Sequence, residues 1–134
     1  MIAVDTSVVV AAFASWHEDH AQAATVITAR PDLPVPAGLE SYAVLTRLPP
    51  PHRAEAAIVR DFLGRAFPRE WLTLPGDRWI RVIDELVAMG VSGGASYDAV
   101  IAMAASHHGC ELLTFDRRAR RTYDLVGVKA RFIS

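Results

Sequence analysis

The chain has a single cysteine, Cys110, a single lysine, Lys129, and no long apolar run. A lone thiol cannot build an intrachain disulfide framework, and no cationic, apolar leader precedes the first predicted strand, so a reducing, cytoplasmic setting is expected. The longest apolar stretch, Val8 to Ala14, falls far short of the roughly twenty residues that span a bilayer, and no membrane role is expected. Formal net charge is −1, which argues against a domain that coats nucleic acid by bulk electrostatics. Gly90, Gly93 and Gly94 lack the following Lys and Ser/Thr of a phosphate-cradling loop, and no G-x-S-x-G elbow occurs. Neither His17 with His20 nor His107 with His108 has a Cys or His partner at zinc-site spacing.

What the chain does have is four acids in apolar company. Asp5, Glu40, Asp98 and Asp116 each stand at the end of an apolar run or the start of a predicted helix. Taken singly, each could be a plain cap, because a first helical turn favours acids through side-chain capping and the helix dipole. Their isolation argues for more. Asp5 is the only acid in the first seventeen residues, Glu40 the only one between Asp32 and Glu55, and Asp98 the only one between Glu85 and Glu111. An ionised carboxylate in such surroundings needs a partner, and no lysine is near in sequence, although an arginine from elsewhere in the fold could serve. If the four meet, protons or a divalent cation must relieve their repulsion. Oxygen donors suit Mg²⁺, with Mn²⁺ as a substitute, better than zinc.

Thirteen arginines stand against one lysine, and Arg117, Arg118, Arg120 and Arg121 crowd into five positions. A guanidinium fork suits bidentate phosphate contacts. For Arg120 and Arg121 a solvated helix face is an equal reading.

A length of 134 residues suggests one domain over residues 1–134. Met1–Val4 reads as a strand, Asp5-Thr6-Ser7 as a turn, and Val8–Ala14 as a helix. Further helices are expected over Glu18–Arg30, Gly38–Leu48, Arg53–Phe67, Asp77–Met89 and Tyr97–His108, the last with Ser96 as its N-cap. In Asp77–Met89, the residues Trp79, Ile83, Leu86 and Val87 make an apolar stripe. Short strands are expected at Leu33–Val35, Trp71–Leu74, Glu111–Phe115 and Lys129–Ile133, with an arginine-rich helical turn after Asp116. This alternation predicts an α/β fold, a three-layer α/β/α arrangement with a central, mostly parallel sheet. Ligands of such sheets bind beyond the carboxyl ends of the strands. Asp5 and Asp116 should share that edge.

With these residues in view, the chain resembles the PIN-domain nucleases, and among them the VapC toxins of type II toxin–antitoxin pairs. The matching pieces are Ile2-Ala3-Val4-Asp5-Thr6-Ser7, the lone Glu40, Tyr97-Asp98-Ala99-Val100-Ile101-Ala102 and Leu112-Leu113-Thr114-Phe115-Asp116-Arg117-Arg118. The resemblance implies catalytic roles for Asp5, Glu40, Asp98 and Asp116, with Asp5, Asp98 and Asp116 as metal ligands, and supporting hydroxyls at Thr6, Ser7 and Thr114. It also implies a Mg²⁺-dependent endoribonuclease that cuts a structured RNA such as transfer RNA and so halts translation, a homodimer, and a cognate VapB-type antitoxin that blocks the site. In this sequence the next acid after Asp116 is Asp124, where many relatives carry one sooner. The alternative is a catalytically silent PIN fold that only holds RNA or antitoxin. A haloacid-dehalogenase phosphatase would need Asp-x-Asp where Asp5-Thr6-Ser7 stands, and a receiver domain would need a lysine that Lys129 does not supply.

Overall fold

The computed structural model describes residues 1–133, so Ser134, the end of the expected domain, lies outside it. Three parallel strands, β1 (Ile2–Val4), β2 (Glu111–Thr114) and β3 (Ala130–Phe132), pair in the order β1-β2-β3, with Val4 opposite Leu113 and Leu113 opposite Arg131. Ala3, Val4, Leu112, Leu113 and Thr114 are all buried, as strands covered on both faces should be. Beyond β1 the sheet continues only as single bridges, Ala3 to Asp32 and Pro34 to Leu72, both parallel. The strands expected at Leu33–Val35 and Trp71–Leu74 shrink to these bridges. Pro34 has no N–H to offer a ladder, and a helix starts at the next residue.

Among the described residues there are seven helices: α1 (Thr6–Phe13), α2 (His20–Thr28), α3 (Val35–Arg47), α4 (Ala56–Ala66), α5 (Gly76–Met89), α6 (Ala95–His107) and α7 (Arg120–Val126), the last entered through a 3₁₀ turn at Arg117–Ala119. The result is the expected three-layer α/β/α arrangement, with α1 and α6 both packed on β2. The main core runs from Val4 and Val8 through Leu45, Val59, Leu63 and Ile101 to Leu112 and Tyr123. A smaller one gathers Leu74, Val82, Leu86, Val91 and Met103.

Two local expectations change. Helix α6 begins at Ala95, with Gly94 at the cap position and no side-chain cap, so Ser96 lies inside the first turn. The apolar stripe on α5 is mostly uncovered: Leu86 is buried, but Ile83 and Val87 are 67% and 74% exposed, and Ile80 is 83% exposed. Among its helix neighbours α5 packs chiefly on α6, through Val82 and Leu86. Its periodicity correctly gives a helix with an apolar side, but the outward half of that side has no cover within this chain.

Candidate active site

Because β1 and β2 are parallel neighbours, the residues that follow them emerge on one edge. Asp5 leaves β1 with its backbone N–H bonded to the Leu113 carbonyl at 3.2 Å. Its carboxylate then caps α1: Oδ1 accepts from the backbone N–H of Ser7 at 3.0 Å and of Val8 at 3.4 Å. The Ser7 hydroxyl donates to the same oxygen at 2.5 Å and accepts from the Phe115 N–H at 2.9 Å. Thr114 Oγ1, 3.4 Å from Ser7 Oγ, accepts from the Asp116 N–H at 2.9 Å. Thus Ser7 and Thr114 stitch together the loops after the two strands. Ser7 touches the Asp5 carboxylate directly, and Thr114 fixes the backbone of Asp116.

The sequence reading missed Tyr123. This residue of α7 is fully buried, and its phenol donates to Asp5 Oδ2 at 2.6 Å. Both oxygens of Asp5 are therefore held. Tyrosine at this place carries no local signal, because its partner lies at the other end of the chain. Burial and the nearby Asp5 carboxylate push the phenol pKa up, so it remains a donor at any ordinary pH.

Glu40 approaches from α3, where Thr6 Oγ1 donates to its Oε1 at 2.5 Å. Asp98 enters from the first turn of α6. Its carboxyl is raised from 3.8 to about 6 by burial, then by the charges of Glu40, Asp116 and Asp5, against the lowering influence of Arg118. The four acids thus share one electrostatic neighbourhood. Asp5 is also raised, by burial first, while its donors from Ser7, Thr114, Tyr123 and Val8 pull the other way. Asp116 caps the 3₁₀ turn, accepting from the Arg118 backbone N–H at 3.0 Å, and lies 3.4 Å from the Arg118 guanidinium. Among the described residues, no three acids, histidines or cysteines already surround a common point at coordinating distance.

The site opens into a cleft of about 530 Å³ lined by Thr6, Ser7, His17, Asp116, Arg117 and Arg118. Arg117 and Arg118 also line an adjoining depression of about 460 Å³ with Arg120, Arg121 and Asp124. The four arginines are not equivalent. The Arg120 guanidinium lies 4.2 Å and that of Arg117 5.9 Å from the Phe132 ring centroid, whereas the Arg118 side chain is 94% exposed.

A parallel α/β/α layer fold with hydroxyl-braced carboxylates at its carboxyl edge, beside a guanidinium-lined cleft, defines a class of layered α/β domains with an acidic site at the strand ends. Comparison with known proteins sharpens that class. The family model described as the PIN domain matches residues 2–125. Ribonuclease VapC40 of Mycobacterium tuberculosis, strain H37Rv, is 40% identical over 134 residues, covering 100% of both chains. Ribonuclease VapC27 of the same strain is 35% identical over 128 residues, covering 95% of this chain and 93% of the relative. The chain belongs to the PIN-domain family, in its VapC ribonuclease branch.

Proposed function

We propose that the chain is the toxin of a VapBC-type pair, a Mg²⁺-dependent endoribonuclease that cuts a structured cellular RNA such as transfer RNA and so inhibits translation and growth. The observation that carries the reading is the placement of the acids: Asp5 and Asp116 follow the parallel neighbours β1 and β2, Thr6 beside Asp5 holds Glu40, and the Asp98 carboxyl feels the charge of all three. Four oxygen-donor carboxylates fit a hard divalent cation, and Mg²⁺ keeps several waters and binds through one or two carboxylates plus substrate phosphate, so a closed protein cage is not required. Asp5, Asp98 and Asp116 would be the ligands. When bound, such an ion supplies Lewis acidity at the phosphoryl oxygen and lowers the pKa of a coordinated water.

The chain's own residues do the positioning. Thr6 fixes Glu40, which would orient the attacking water or hold the ion through a water. Ser7, Tyr123 and the α1 N–H groups hold Asp5 immobile. Arg118, whose side chain is 94% exposed, would draw the RNA backbone to the cleft, with Arg117 and Arg121 extending the path and Arg120, held over Phe132, adding less. A silent, binding-only module would have no need of this bracing of acid side chains.

Two partners follow from the same reading. A second copy of the chain would cover the open stripe Ile80, Ile83 and Val87 of α5. A cognate VapB-type antitoxin would occlude the acid pocket, and the apolar groove of about 850 Å³ between α3 and α4, walled by Tyr42, Leu63 and Trp71, offers a seat for an apolar helix beside it. None of the described helices is long and apolar enough to cross a membrane, and a cytoplasmic site of action suits a target in translation. Induced expression in a bacterial host tests the reading: growth should stop, and RNA from arrested cells should carry new, discrete ends, while Asp5→Asn and Asp116→Asn do neither. Arrest by the two substituted proteins would favour the binding-only alternative.

A further inference from the structure

A second concavity, of about 560 Å³, opens between α3, α5 and α6. It shares Glu40 with the acid pocket, and its wall residue Tyr97 directly precedes Asp98 on α6. Its remaining walls include Leu39, Val100, Trp79 and the guanidinium-bearing Arg47. Two aromatic side chains therefore face a mostly apolar hollow that begins where the acid cluster ends. The indole of Trp79 is not free to swing, because its Nε1–H donates to Thr73 Oγ1 at 3.2 Å, yet it remains 37% exposed, and Tyr97 is 63% exposed. Trp79 thus offers a tethered aromatic face that stays partly open, and Tyr97 a more open one on the same hollow.

We propose that this hollow receives one unpaired nucleobase of the RNA, next to the phosphodiester that is cut. The proposal rests on the ribonuclease reading and specifies how the substrate is chosen. Sequence-selective RNA recognition works on loop nucleotides whose bases can splay out and stack on aromatic rings, with hydrogen bonds to their edges. The hollow supplies those parts in one place: rings from Trp79 and Tyr97, apolar lining from Leu39 and Val100, and a donor in Arg47. A paired base cannot enter, because its edge and both faces are engaged in the duplex. The pocket would therefore select loops over stems, while the separate arginine path beside Asp116 grips backbone without regard to sequence. A second copy of the chain is the competing occupant, since the open stripe of α5 runs on from Trp79.

The test measures binding of a labelled single strand of about 12 nucleotides to the full chain in an Asp116→Asn background, where cutting is blocked. The same strand with abasic positions and the corresponding duplex serve as comparisons. Tyr97→Ala should weaken the single strand roughly 10-fold or more, as loss of one stacked base does. Tyr97→Phe should restore it, the abasic strand should lose the distinction, and the salt dependence should be unchanged because no phosphate contact is removed. Equal binding by wild-type Tyr97 and Tyr97→Ala proteins would overturn the proposal, as would an equal loss on abasic strand and duplex. Conversion of a dimer to a monomer by Tyr97→Ala would also overturn it, giving the hollow to the second copy. A parent protein that neither binds nor cuts RNA would instead remove the ribonuclease reading, and this inference with it.

Discussion

Tyr123 and Asp5, 118 positions apart, are joined by a hydrogen bond of 2.6 Å, the phenol donating to Oδ2 of a carboxylate whose other oxygen is already taken by the start of α1. The bond turns a helix cap into a carboxylate with one orientation. Tyr123→Phe removes the donor and keeps the ring, so the fold should survive with a loss of about 1–3 kcal/mol, the range for a hydrogen bond to a charged acceptor or an acceptor left unmade. Divalent-ion affinity should fall further than stability predicts, and raising Mg²⁺ should recover cleavage. Titration of Mn²⁺ followed by electron paramagnetic resonance reads this directly. Unchanged Mn²⁺ affinity in Tyr123→Phe would reduce the tyrosine to packing.

Asp98 makes the apo protein sensitive to pH. Its carboxyl is raised from 3.8 to about 6, so the folded chain binds a proton in that window that the unfolded chain has already lost. Stability from this group is accordingly greatest at low pH and falls as pH rises through about 6. Asp98→Asn should raise the Tm of the metal-free protein at neutral pH by roughly 2–4 °C, a modest shift because the group is partly solvated, and the gain should vanish near pH 4. Calorimetry on the two proteins at both pH values checks the sign. For the same reason protons should compete with Mg²⁺, and the Mg²⁺ concentration needed for cleavage should rise as pH falls below about 6.

Ser7 connects the loops after β1 and β2 through one hydroxyl that donates to Asp5 and accepts from Phe115. Ser7→Ala leaves the Phe115 N–H and one Asp5 acceptor without that partner, at a cost of about 1–3 kcal/mol. Urea unfolding should show the loss as a lower midpoint with unchanged slope. Ser7→Thr, which keeps the hydroxyl, should recover much of it.

Arg118 and Arg120 should behave differently. The Arg118 side chain reaches solvent beside Asp116, whereas the Arg120 guanidinium lies over Phe132. Arg118→Gln should lower the slope of log K against log salt for RNA binding by about 1 and weaken binding on all sequences alike. Arg120→Gln should affect thermal stability more than the salt slope. Slopes unchanged from the parent in both variants would mean that neither contacts phosphate.

These contrasts mark what a sequence makes legible. The Asp5 cap on α1 is readable because its donors are two and three residues away, and the parallel sheet is readable because its buried strands are short apolar runs alternating with helices. The isolation of the four acids is visible too. The bracing is not: Thr6 meets Glu40 across 34 positions and Tyr123 meets Asp5 across most of the chain, distances at which composition and period say nothing. Helix α5 shows the complementary limit. Its periodicity identifies an apolar side, but whether that side is core or open surface depends on what the rest of the fold brings to it, and Ile80, Ile83 and Val87 remain uncovered. Pro34 is a third instance, since an apolar run reads as strand until the missing N–H and the immediate helix start reduce it to one bridge.

The most direct test of the central claim, that the acid pocket is a metal-dependent ribonuclease site, is cleavage of pooled transfer and ribosomal RNA by the purified chain. It is run with Mg²⁺, with EDTA, and with Asp5→Asn and Asp116→Asn proteins shown to be folded. The account predicts discrete fragments with Mg²⁺ alone, none with EDTA, and at least a 100-fold loss in both variants, roughly the scale on which removal of a charge-stabilising group acts. Fragments that persist in EDTA and in both variants would contradict it.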